Sequence, residues 1–403
     1  MKICMLAAND LINDPRVTRH AKSLANNGFD VTVLAVKTER APTIEFRDGY
    51  RIQRIGTAIQ EKIQHVVGAV KIERRTRYVP HSKQVGSPKP RGIFRRLSNS
   101  MIAFSAFLER NLQMARIARS VRADIYVSND LDTLLAGVIA SKRRGRLIYD
   151  SHELWTDQWQ SMPHHLRSLY YILEKSLIKK TGAVMTVNHF IAEELTRRYG
   201  IATPEVVLNC PDVLPTDLGA KPEKRQKKIA LYQGRYVAGR GLETVIQACP
   251  YLERDVTVLF RGLGDQEHKL KELAANYNNC RFVDPVPMQD MVKAAAEADI
   301  GILAYLPTNL NNKYASPNKL FEYVQAGLPM VATDIPFLKE IILGEQIGLV
   351  FDGEDPRSIA HAINAATREP LLSEMKENVK NAAKKYTWQN EEKKLVQIYE
   401  ALM

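Results

Sequence analysis

The chain has 403 residues, of which 45% are hydrophobic and 25% are charged, and its formal net charge is +12 at pH 7. The length suggests two or three domains, and the ordinary composition excludes a wholly disordered chain. The four cysteines contain no Cys-x-x-Cys pair, which argues against a zinc ribbon or a disulfide scaffold and favours a reducing compartment.

Short apolar runs alternate with amphipathic segments along the chain. Runs rich in Val, Ile and Leu predict parallel strands buried on both faces, and their alternation with helices predicts βαβ units in doubly wound sheets. The predicted strands are 2–8, 31–36, 125–128, 147–149, 183–187, 229–233, 256–261, 280–283, 300–304, 329–332 and 348–351. The predicted helices include 14–27, 133–142, 242–248, 266–276 and 290–298.

Two such sheets fit the length of the chain. A proline-containing segment at 209–217, followed by a charge run at 221–228, predicts a domain boundary there. The residues 388–403 have helical spacing and follow the second predicted sheet. The first apolar run is too short for a secretory signal, and no apolar stretch reaches the roughly 18 residues of a spanning helix. We therefore expect a soluble or peripheral protein.

The positive charge is concentrated in one block. Residues 51–100 hold 12 basic residues against two acidic ones, whereas residues 215–403 are nearly neutral. Most of these basic side chains lie at 71–96, and apolar residues follow at 97–107. The arrangement is typical of a segment on an anionic membrane surface, and equally of a solvated loop leading into a core helix. Few aromatic residues interleave with the basic ones, which disfavours nucleic-acid binding.

A glycine-rich turn lies between a predicted strand and a predicted helix. It contains Gly234, Arg235, Gly239, Arg240 and Gly241. Glycines there allow a ligand to approach the backbone, and the free N–H groups of the following helix attract an anion. With two guanidinium groups in the same turn, phosphate binding is favoured over an ordinary glycine turn with solvated arginines.

A second candidate site begins at Ser316. Ser316 is predicted to cap a helix whose first residue is Pro317. Glu322 lies further along this helix, where its carboxylate could accept hydrogen bonds from ribose hydroxyls. The alternative is a capped surface helix with an exposed glutamate.

A third candidate site, Asp150-Ser151-His152-Glu153, follows a predicted strand. The carboxyl ends of parallel strands are where open α/β sheets bind ligands, so a functional and a structural role for His152 are about equally expected. Asp130 and Asp132 are predicted to cap a helix rather than to bind a metal.

Gly262 and Gly264 resemble half of a dinucleotide-binding fingerprint. Glu267 occupies the place of the third glycine, and no fingerprint follows the first strand either. A Rossmann dehydrogenase is therefore disfavoured.

Together, these motifs resemble family 4 of the retaining glycosyltransferases, the GT-B-fold group that uses nucleotide-sugar donors. The resemblance covers most of the chain, and the order and spacing of the motifs carry it. The matching segments are 14–17, 130–134, 149–153, 234–241, 260–264, 298–300 and 317–329.

The resemblance implies an α/β fold of two Rossmann-like, doubly wound domains that face a cleft. Residues 1–212 would bind the acceptor and contain a basic insertion at about 60–110. Residues 213–386 would bind the nucleotide sugar, and the helix at 387–403 would cross back to the first domain.

The resemblance also implies roles for individual residues. Arg235 and Arg240 would hold the donor diphosphate, His152 would lie near the transferred sugar, and Glu322 would bind the ribose. No metal and no cofactor would be required, because the arginines supply the positive charge. The other implied donor-binding residues are Gly234, Gly262, Gly264, Ser316, Pro317, Asn318 and Lys319, and the implied acceptor-side residues are Asn9, Asp10, Arg16, Asp130 and Glu153.

Three positions depart from the family pattern. Arg240 stands where the family usually has lysine, and the two cations differ in geometry. Tyr314 replaces the first Glu of the Glu-x7-Glu motif, which leaves the donor sugar open. The segment 7–10 lacks the usual paired glycines, which weakens the inference that this loop binds the acceptor as it does in the family.

The leading hypothesis is retaining transfer of a hexose or an N-acetylhexosamine from a UDP-sugar to a lipid-linked or glycan acceptor, in cell-surface polysaccharide synthesis. The expected location is cytoplasmic, peripheral on the inner face of the plasma membrane, with 71–96 as the candidate membrane contact. The alternative is a UDP-sugar 2-epimerase with the GT-B fold. A nucleic-acid-binding face is a third, disfavoured reading.

Overall fold

The computed structural model describes residues 1–56, 91–142, 146–158, 162–213 and 227–402. Most of the basic segment 71–96 lies outside these residues. The chain forms two compact units: the first comprises Met1–Met185, Thr196–Pro204 and Tyr399–Met403, and the second comprises Thr186–Leu195 and Glu205–Ile398. The division of roles among 1–212, 213–386 and 387–403 stays a prediction.

Most of the first sheet belongs to the first unit. Its strands are β1 (Lys2–Leu6), β2 (Asp30–Val36), β3 (Ile44–Arg47), β4 (Tyr50–Ile55), β5 (Ile125–Asn129), β6 (Arg146–Ser151), β7 (Ala183–Thr186) and β8 (Glu205–Val206). They lie in the order β3-β4-β2-β1-β5-β6-β7-β8. The central pairs are parallel, and only β3 runs antiparallel to its neighbour among the pairs described. Every residue of β5 is buried, as expected for a strand covered on both faces.

The second sheet carries β9 (Lys228–Gln233), β10 (Val256–Arg261), β11 (Cys280–Val283), β12 (Ile300–Leu303), β13 (Met330–Thr333) and β14 (Gly348–Phe351). The order is β11-β10-β9-β12-β13-β14, and all pairs are parallel. The strand order reverses between β9 and β12, and open α/β sheets bind ligands at the carboxyl ends of the strands at such a point. The prediction of two doubly wound, Rossmann-like sheets is confirmed.

The described helices connect these strands. They are α1 (Pro15–Asn26), α2 (Arg91–Val121), α3 (Leu131–Ser141), α4 (His164–Leu177), α5 (His189–Tyr199), α6 (Leu242–Gln247), α7 (Glu267–Ala274), α8 (Met291–Ala295), α9 (Leu310–Lys313), α10 (Asn318–Gln325), α11 (Pro336–Gly344), α12 (Pro356–Thr367), α13 (Leu371–Lys385) and α14 (Trp388–Glu400). The predicted helix 290–298 is wrong in extent, because a 3₁₀ turn precedes the short α8. The predicted helix 133–142 begins two residues earlier, at Leu131.

The hairpin of β3 and β4 was absent from the sequence prediction. Asp48 and Gly49 have positive φ values of 46° and 82° at its turn. Arg54, counted within the basic block, lies on β4 with 2% of its surface exposed. Its guanidinium donates to the carbonyl of Asp10 at 2.9 Å and to the carboxylate of Glu45 at 2.8 Å. The charge of Arg54 is therefore structural and does not belong to a binding face.

Helix α2 begins within the basic segment 71–96 and is partly exposed. Phe107 is buried against the ring of Tyr170, with 5.2 Å between ring centroids. Met101 and Ile102 are 72% and 51% exposed. The later residues of this apolar stretch therefore join the core, while earlier ones face solvent, and contact with a membrane stays a prediction. Within the described ranges, no helix combines the length and the apolar character that crossing a membrane requires.

A buried carboxylate joins three elements of the first unit. Glu174 on α4 is 1% exposed and accepts hydrogen bonds from the hydroxyls of Tyr149 at 2.7 Å and Tyr199 at 2.8 Å. Burial raises the pKa of Glu174, and these two hydrogen bonds oppose the shift.

Candidate functional site

The glycine-rich turn after β9 has the backbone that its sequence suggests. Gly234, Gly239 and Gly241 have φ values of 146°, 82° and 68°, a region that residues with a side chain seldom adopt. Gly241 is the N-cap of α6. Arg235 is exposed within this turn. The turn thus carries its first arginine at the surface, beside the carboxyl end of the central strand β9.

Arg240 packs on an aromatic ring instead of pairing with a carboxylate. Its guanidinium carbon lies 4.1 Å from the ring centroid of Tyr305, which follows β12. The amide of Leu306 donates to the carbonyl of Gly239 at 2.9 Å, so the loops after β9 and β12 are joined beside this contact. None of the ion pairs found in the described part of the chain involves Arg240. A stacked guanidinium keeps its edge donors available for an anion.

Gly262 and Gly264 serve close packing of two loops. A Cβ at Gly262 would lie 1.9 Å from the carbonyl oxygen of Gly234, and one at Gly264 would lie 2.2 Å from that of Tyr236. The amide of Tyr236 donates to the carbonyl of Leu263 at 3.0 Å. These two glycines therefore position the turn that carries Arg235. Their predicted contact with the donor stays a prediction.

The helix predicted at Ser316 begins later than expected. The first helical residue is Asn318 and the N-cap is Pro317, whose side chain cannot form a cap hydrogen bond. Ser316 is therefore not the N-cap, and its hydroxyl donates to the carbonyl of Val187 at 3.5 Å. Asn318 accepts a hydrogen bond from Asn209 at 2.7 Å. Both side chains hold the segment before the helix in place.

Lys319 and Glu322 lie on α10. Lys319 is 9% exposed, and its Nζ lies 3.9 Å from the ring centroid of Tyr232. Burial and, to a lesser extent, the charge of Arg240 lower the pKa of Lys319 to about 7, against the opposing effect of Glu322. Glu322 is half-buried, not exposed as in the surface-helix alternative. Two cations of the predicted donor site, Arg240 and Lys319, therefore share one aromatic environment.

Tyr314 stands where the family pattern has a glutamate. Its ring is stacked on Phe190 with centroids 5.8 Å apart, and its carbonyl accepts a hydrogen bond from Asn188 at 2.8 Å. A packed aromatic side chain supplies none of the carboxylate hydrogen bonds that the family glutamate would offer to a sugar.

In the first unit, His152 lies between two carboxylates. Its Nδ1 is 3.3 Å from Asp130 Oδ2, and its Nε2 is 3.2 Å from Asp150 Oδ2. Burial lowers the pKa of His152, but Asp130 and Asp150 outweigh it and raise the pKa to about 9. Since both ring nitrogens face carboxylate oxygens, the ring is held as a cation and is poorly suited to accept a proton. The arrangement favours a charge-supplying or positioning role over that of a general base.

Asp130 does not cap its helix through its side chain. It precedes α3 with a φ of 59° and makes no side-chain cap hydrogen bond. Its Oδ1 instead accepts from the backbone amide of His152 at 2.9 Å. Asp130 is thus the N-cap by position, as predicted, but its carboxylate forms no cap hydrogen bond because it engages the nearby histidine. Burial raises the pKa of Asp130 to about 7, and the charge of His152 opposes the shift.

Arg16 and Asp150 form a buried ion pair. Their side chains are 3% and 0% exposed, and the guanidinium donates to both carboxylate oxygens at 2.7 and 2.9 Å. Burial would raise the pKa of Asp150, but Arg16 and His152 hold it well below its usual range. Arg16 was predicted to contact the acceptor. The structure shows that it orders Asp150, which in turn holds His152.

The other acceptor-side predictions lie at two loops of the first unit. Asn9 donates to Asp14 at 2.7 Å, and Asp10 accepts from the hydroxyl of Thr38 at 3.0 Å, so both side chains order the loop after β1. Glu153 is half-buried beside His152. Their predicted contact with an acceptor stays a prediction.

Sequence reasoning missed the two tyrosines that hold the cations of the second unit, Tyr232 and Tyr305. It named Asp150 within the third candidate site, but not the ion pair by which Asp150 joins Arg16 to His152. Tyr305 directly follows the end of a strand at the reversal point of its sheet. That position was the one available signal for it.

Two surface grooves lie in the second unit. The larger has a volume of about 620 Å³ and is lined by Thr308, Thr333, Asp334, Asp352 and Ser358, among others. The smaller, of about 240 Å³, adjoins Gly262 at the ends of β10 and β11. In the described ranges, no group of three or more His, Cys, Asp and Glu side chains is arranged to hold a metal ion.

Two family models match adjoining parts of the chain. The model "Glycosyl transferase 4-like domain" matches residues 14–211, and "Glycosyl transferases group 1" matches residues 216–386. The chain belongs to the GT-B glycosyltransferases. The resemblance inferred from the motifs is thereby confirmed at the level of family and fold.

Curated relatives are similar over part of this glycosyltransferase. A phosphatidyl-myo-inositol mannosyltransferase from Mycobacterium leprae is 25% identical over 183 residues, which are 44% of this chain and 48% of the relative. A D-inositol 3-phosphate glycosyltransferase from Corynebacterium urealyticum is 28% identical over 199 residues, 43% of each chain. The chain thus spans about half the length of the curated relatives it matches.

Solved structures match the whole glycosyltransferase chain. Sucrose-phosphate synthase from Thermosynechococcus elongatus has a TM-score of 0.72 at 16% identity, covering 100% of this chain and 99% of that one. Anabaena HepE, in a complex with UDP-glucose, has a TM-score of 0.67 at 16% identity and covers 100% of both chains. At such identities the likeness shows the fold alone.

Proposed function

We propose that the protein is a retaining glycosyltransferase that moves a hexose or an N-acetylhexosamine from a UDP-sugar to a lipid-linked or glycan acceptor in cell-surface polysaccharide synthesis. One observation carries the donor half of this proposal. Arg240 and Lys319 approach the single ring of Tyr305, at 4.1 and 5.6 Å from its centroid, at the reversal point of the second sheet. Neither cation has an ion-pair partner among the described residues, so the charge is available to a bound anion.

The chemistry that fits these cations is departure of a nucleoside diphosphate. The bond from the anomeric carbon to the phosphate oxygen breaks, and negative charge grows on the diphosphate. Arg235, Arg240 and Lys319 stabilise that charge, which removes the need for a divalent ion. The acceptor oxygen forms its bond on the same face of the sugar, and its proton passes to the departing phosphate oxygen. The anomeric configuration is retained, and no separate general base is required.

The remaining roles follow the same division of the chain. In the second unit, Glu322 binds the ribose hydroxyls, and the segment 316–318 lies along the phosphates and the sugar. In the first unit, His152 contacts the transferred sugar as a cation held by Asp130 and Asp150. We assign the acceptor to the first unit.

The acceptor class rests on the charge pattern of the first half. Residues 51–100 hold 12 basic residues against two acidic ones, and exposed Met101 and Ile102 follow on α2. Basic residues next to exposed apolar ones suit an anionic membrane, where a lipid-linked acceptor would reside. We accordingly propose a cytoplasmic, peripheral location on the inner face of the plasma membrane.

Product analysis tests this proposal. The purified protein is incubated with UDP-, GDP- and ADP-sugars and polyprenyl-linked acceptors, nucleotide release is measured, and the anomeric configuration of the product is read by NMR. UDP release that depends on the acceptor, with a retained anomer, is expected. Arg240→Ala and Glu322→Ala should lose activity, while Lys380→Met, an exposed substitution on α13, should not.

Other outcomes of the same assay would overturn it. An inverted product would refute the retaining mechanism, and release only from GDP- or ADP-sugars would refute the uridine donor. Conversion of a UDP-sugar to its 2-epimer without acceptor would identify the alternative activity. Loss of turnover after EDTA treatment, restored by a divalent ion, would refute metal independence.

A further inference from the structure

Lys319 has an unusual environment for a lysine. Its Nζ lies 3.9 Å from the ring centroid of Tyr232 and 5.6 Å from that of Tyr305, and only 9% of the residue is exposed. A Cβ on Gly234 would lie 2.9 Å from this Nζ, so the amine abuts the glycine-rich turn. Among the described residues no carboxylate lies within ion-pair distance of it. The amine is therefore buried against aromatic faces and backbone.

Burial and the charge of Arg240 favour the neutral form of Lys319, whereas Glu322 favours the charged form. Arg240, on the same Tyr305 ring, lowers the pKa of Lys319, and Glu322 on the same helix raises it. The neighbouring hydroxyl of Tyr232 stays neutral, because burial raises its pKa far above the usual range. Burial is the largest effect, and the three effects together bring the pKa of Lys319 to about 7. Before a ligand binds, about half of the Lys319 amines are therefore neutral at pH 7, and most of them are neutral above pH 8.

We propose that binding of the donor diphosphate is coupled to uptake of one proton from solvent by the Lys319 amine. The proposal rests on the proposed function, because it takes the same anion as ligand and adds a thermodynamic link. The neutral amine and a solvent proton give an ammonium group, and no other bond changes. A diphosphate near Nζ adds to the negative charge of Glu322, and attraction between close opposite charges favours the ammonium form.

This link fixes a pH dependence of binding. With a free-state pKa of about 7, only about a tenth of Lys319 is protonated at pH 8, so binding should take up close to one proton there. Affinity should then fall about tenfold for each pH unit above 8, as long as the bound amine stays protonated. A permanent cation at the same place would show neither effect.

Calorimetry with uridine diphosphate measures the proton directly. Binding is measured at pH 8 in Tris and in HEPES, whose ionisation enthalpies differ, and the difference in binding heat gives the protons exchanged. At pH 8 the terminal phosphate of the probe is already fully ionised, so uptake must come from the protein. Uptake of about 0.9 proton and a roughly tenfold loss of affinity between pH 8 and pH 9 are expected.

Lys319→Arg supplies the matched variant, since guanidinium stays charged throughout this range. It should bind uridine diphosphate with no net proton uptake and with an affinity that changes little between pH 8 and pH 9. Lys319→Met should bind more weakly at pH 7 and also take up no proton. Lys380→Met, which removes an exposed lysine on α13, should keep the wild-type uptake.

Two results would overturn the coupling: wild-type binding without proton uptake, or equal uptake by Lys319→Arg. If uridine diphosphate does not bind, the titration is repeated with GDP and ADP to separate a wrong nucleotide from a wrong site. Binding of one of these with proton uptake would keep the coupling and refute the uridine donor. Absence of binding by all three would refute both proposals.

Discussion

The close contact between Gly264 and the glycine-rich turn predicts the effect of an added methyl group at this position. An alanine Cβ at this position would lie 2.2 Å from the carbonyl oxygen of Tyr236 and 2.7 Å from its backbone carbon and nitrogen. Because all three neighbours are backbone atoms, no side-chain rotation relieves the overlap. The two loops must separate by about 1 Å to reach ordinary contact. This movement strains the hydrogen bond from the Tyr236 amide to Leu263.

Gly264→Ala should therefore affect both stability and binding. Overpacking of this kind costs about 1–3 kcal/mol of the free energy of unfolding. The displaced turn carries Arg235, and a shift of about 1 Å in a binding group should weaken uridine diphosphate binding roughly 10- to 100-fold. The φ of Gly264 is outside the left-handed region, so backbone strain does not contribute.

Urea unfolding and calorimetric titration together test this prediction. Gly344→Ala is the matched control, because its Cβ would meet no atom within 4 Å at the end of α11. That control should be neutral or stabilising by up to about 1 kcal/mol, with unchanged binding. If Gly264→Ala matched the control in both measurements, the close packing of the two loops would not be what positions the turn.

Three further predictions concern other contacts. The pKa of Glu174 is raised in the folded state, so folding favours its protonated form. The free energy of unfolding should therefore decline as the pH rises from 4.5 through the folded pKa. The urea midpoint of Glu174→Gln should not show this decline. Asp150→Asn should cost about 3–5 kcal/mol of the free energy of unfolding, because it leaves the buried guanidinium of Arg16 without a charged partner. Asp334→Asn, in an exposed ion pair, should cost under about 1 kcal/mol. Urea unfolding of both variants measures the two losses. Tyr305→Leu should weaken uridine diphosphate binding about 3- to 10-fold, because it removes the ring on which Arg240 is stacked. Tyr305→Phe keeps the ring and should bind as the wild type does. An equal loss of affinity in both variants, measured by calorimetric titration, would refute the stacking role.

The fold class and the conformation of the glycine-rich turn were accessible from sequence because their signals are local. A buried parallel strand is a short apolar run, and a glycine-rich turn with two arginines is a contiguous motif. These patterns place Arg235 and Arg240 just after β9. The same local patterns misplaced the cap of α10 by one residue, because Ser316 hydrogen-bonds to Val187 instead.

Contacts between distant segments were beyond sequence reasoning. Arg16 and Asp150 are 134 residues apart, and nothing in either segment indicates that they form a buried ion pair. Arg16 therefore seemed free to meet an acceptor. Gly262 and Gly264 resembled a ligand-binding fingerprint, yet their backbone packs against another loop. In each case the partner comes from a strand end that only the order of strands in the sheet brings near.

The sequence by itself determined that this protein has two doubly wound α/β domains and that its excess positive charge lies in the first half. Hydrophobic periodicity, the positions of glycines and the number of charges are properties of contiguous residues, so they can be read from the sequence alone. Only the tertiary structure decided which cations meet on Tyr305, and that Lys319 is buried without a carboxylate partner in the described chain. Burial and proximity depend on which loops converge at the reversal of the second sheet. That convergence places Arg240 and Lys319 on one aromatic ring and buries the lysine amine beside it.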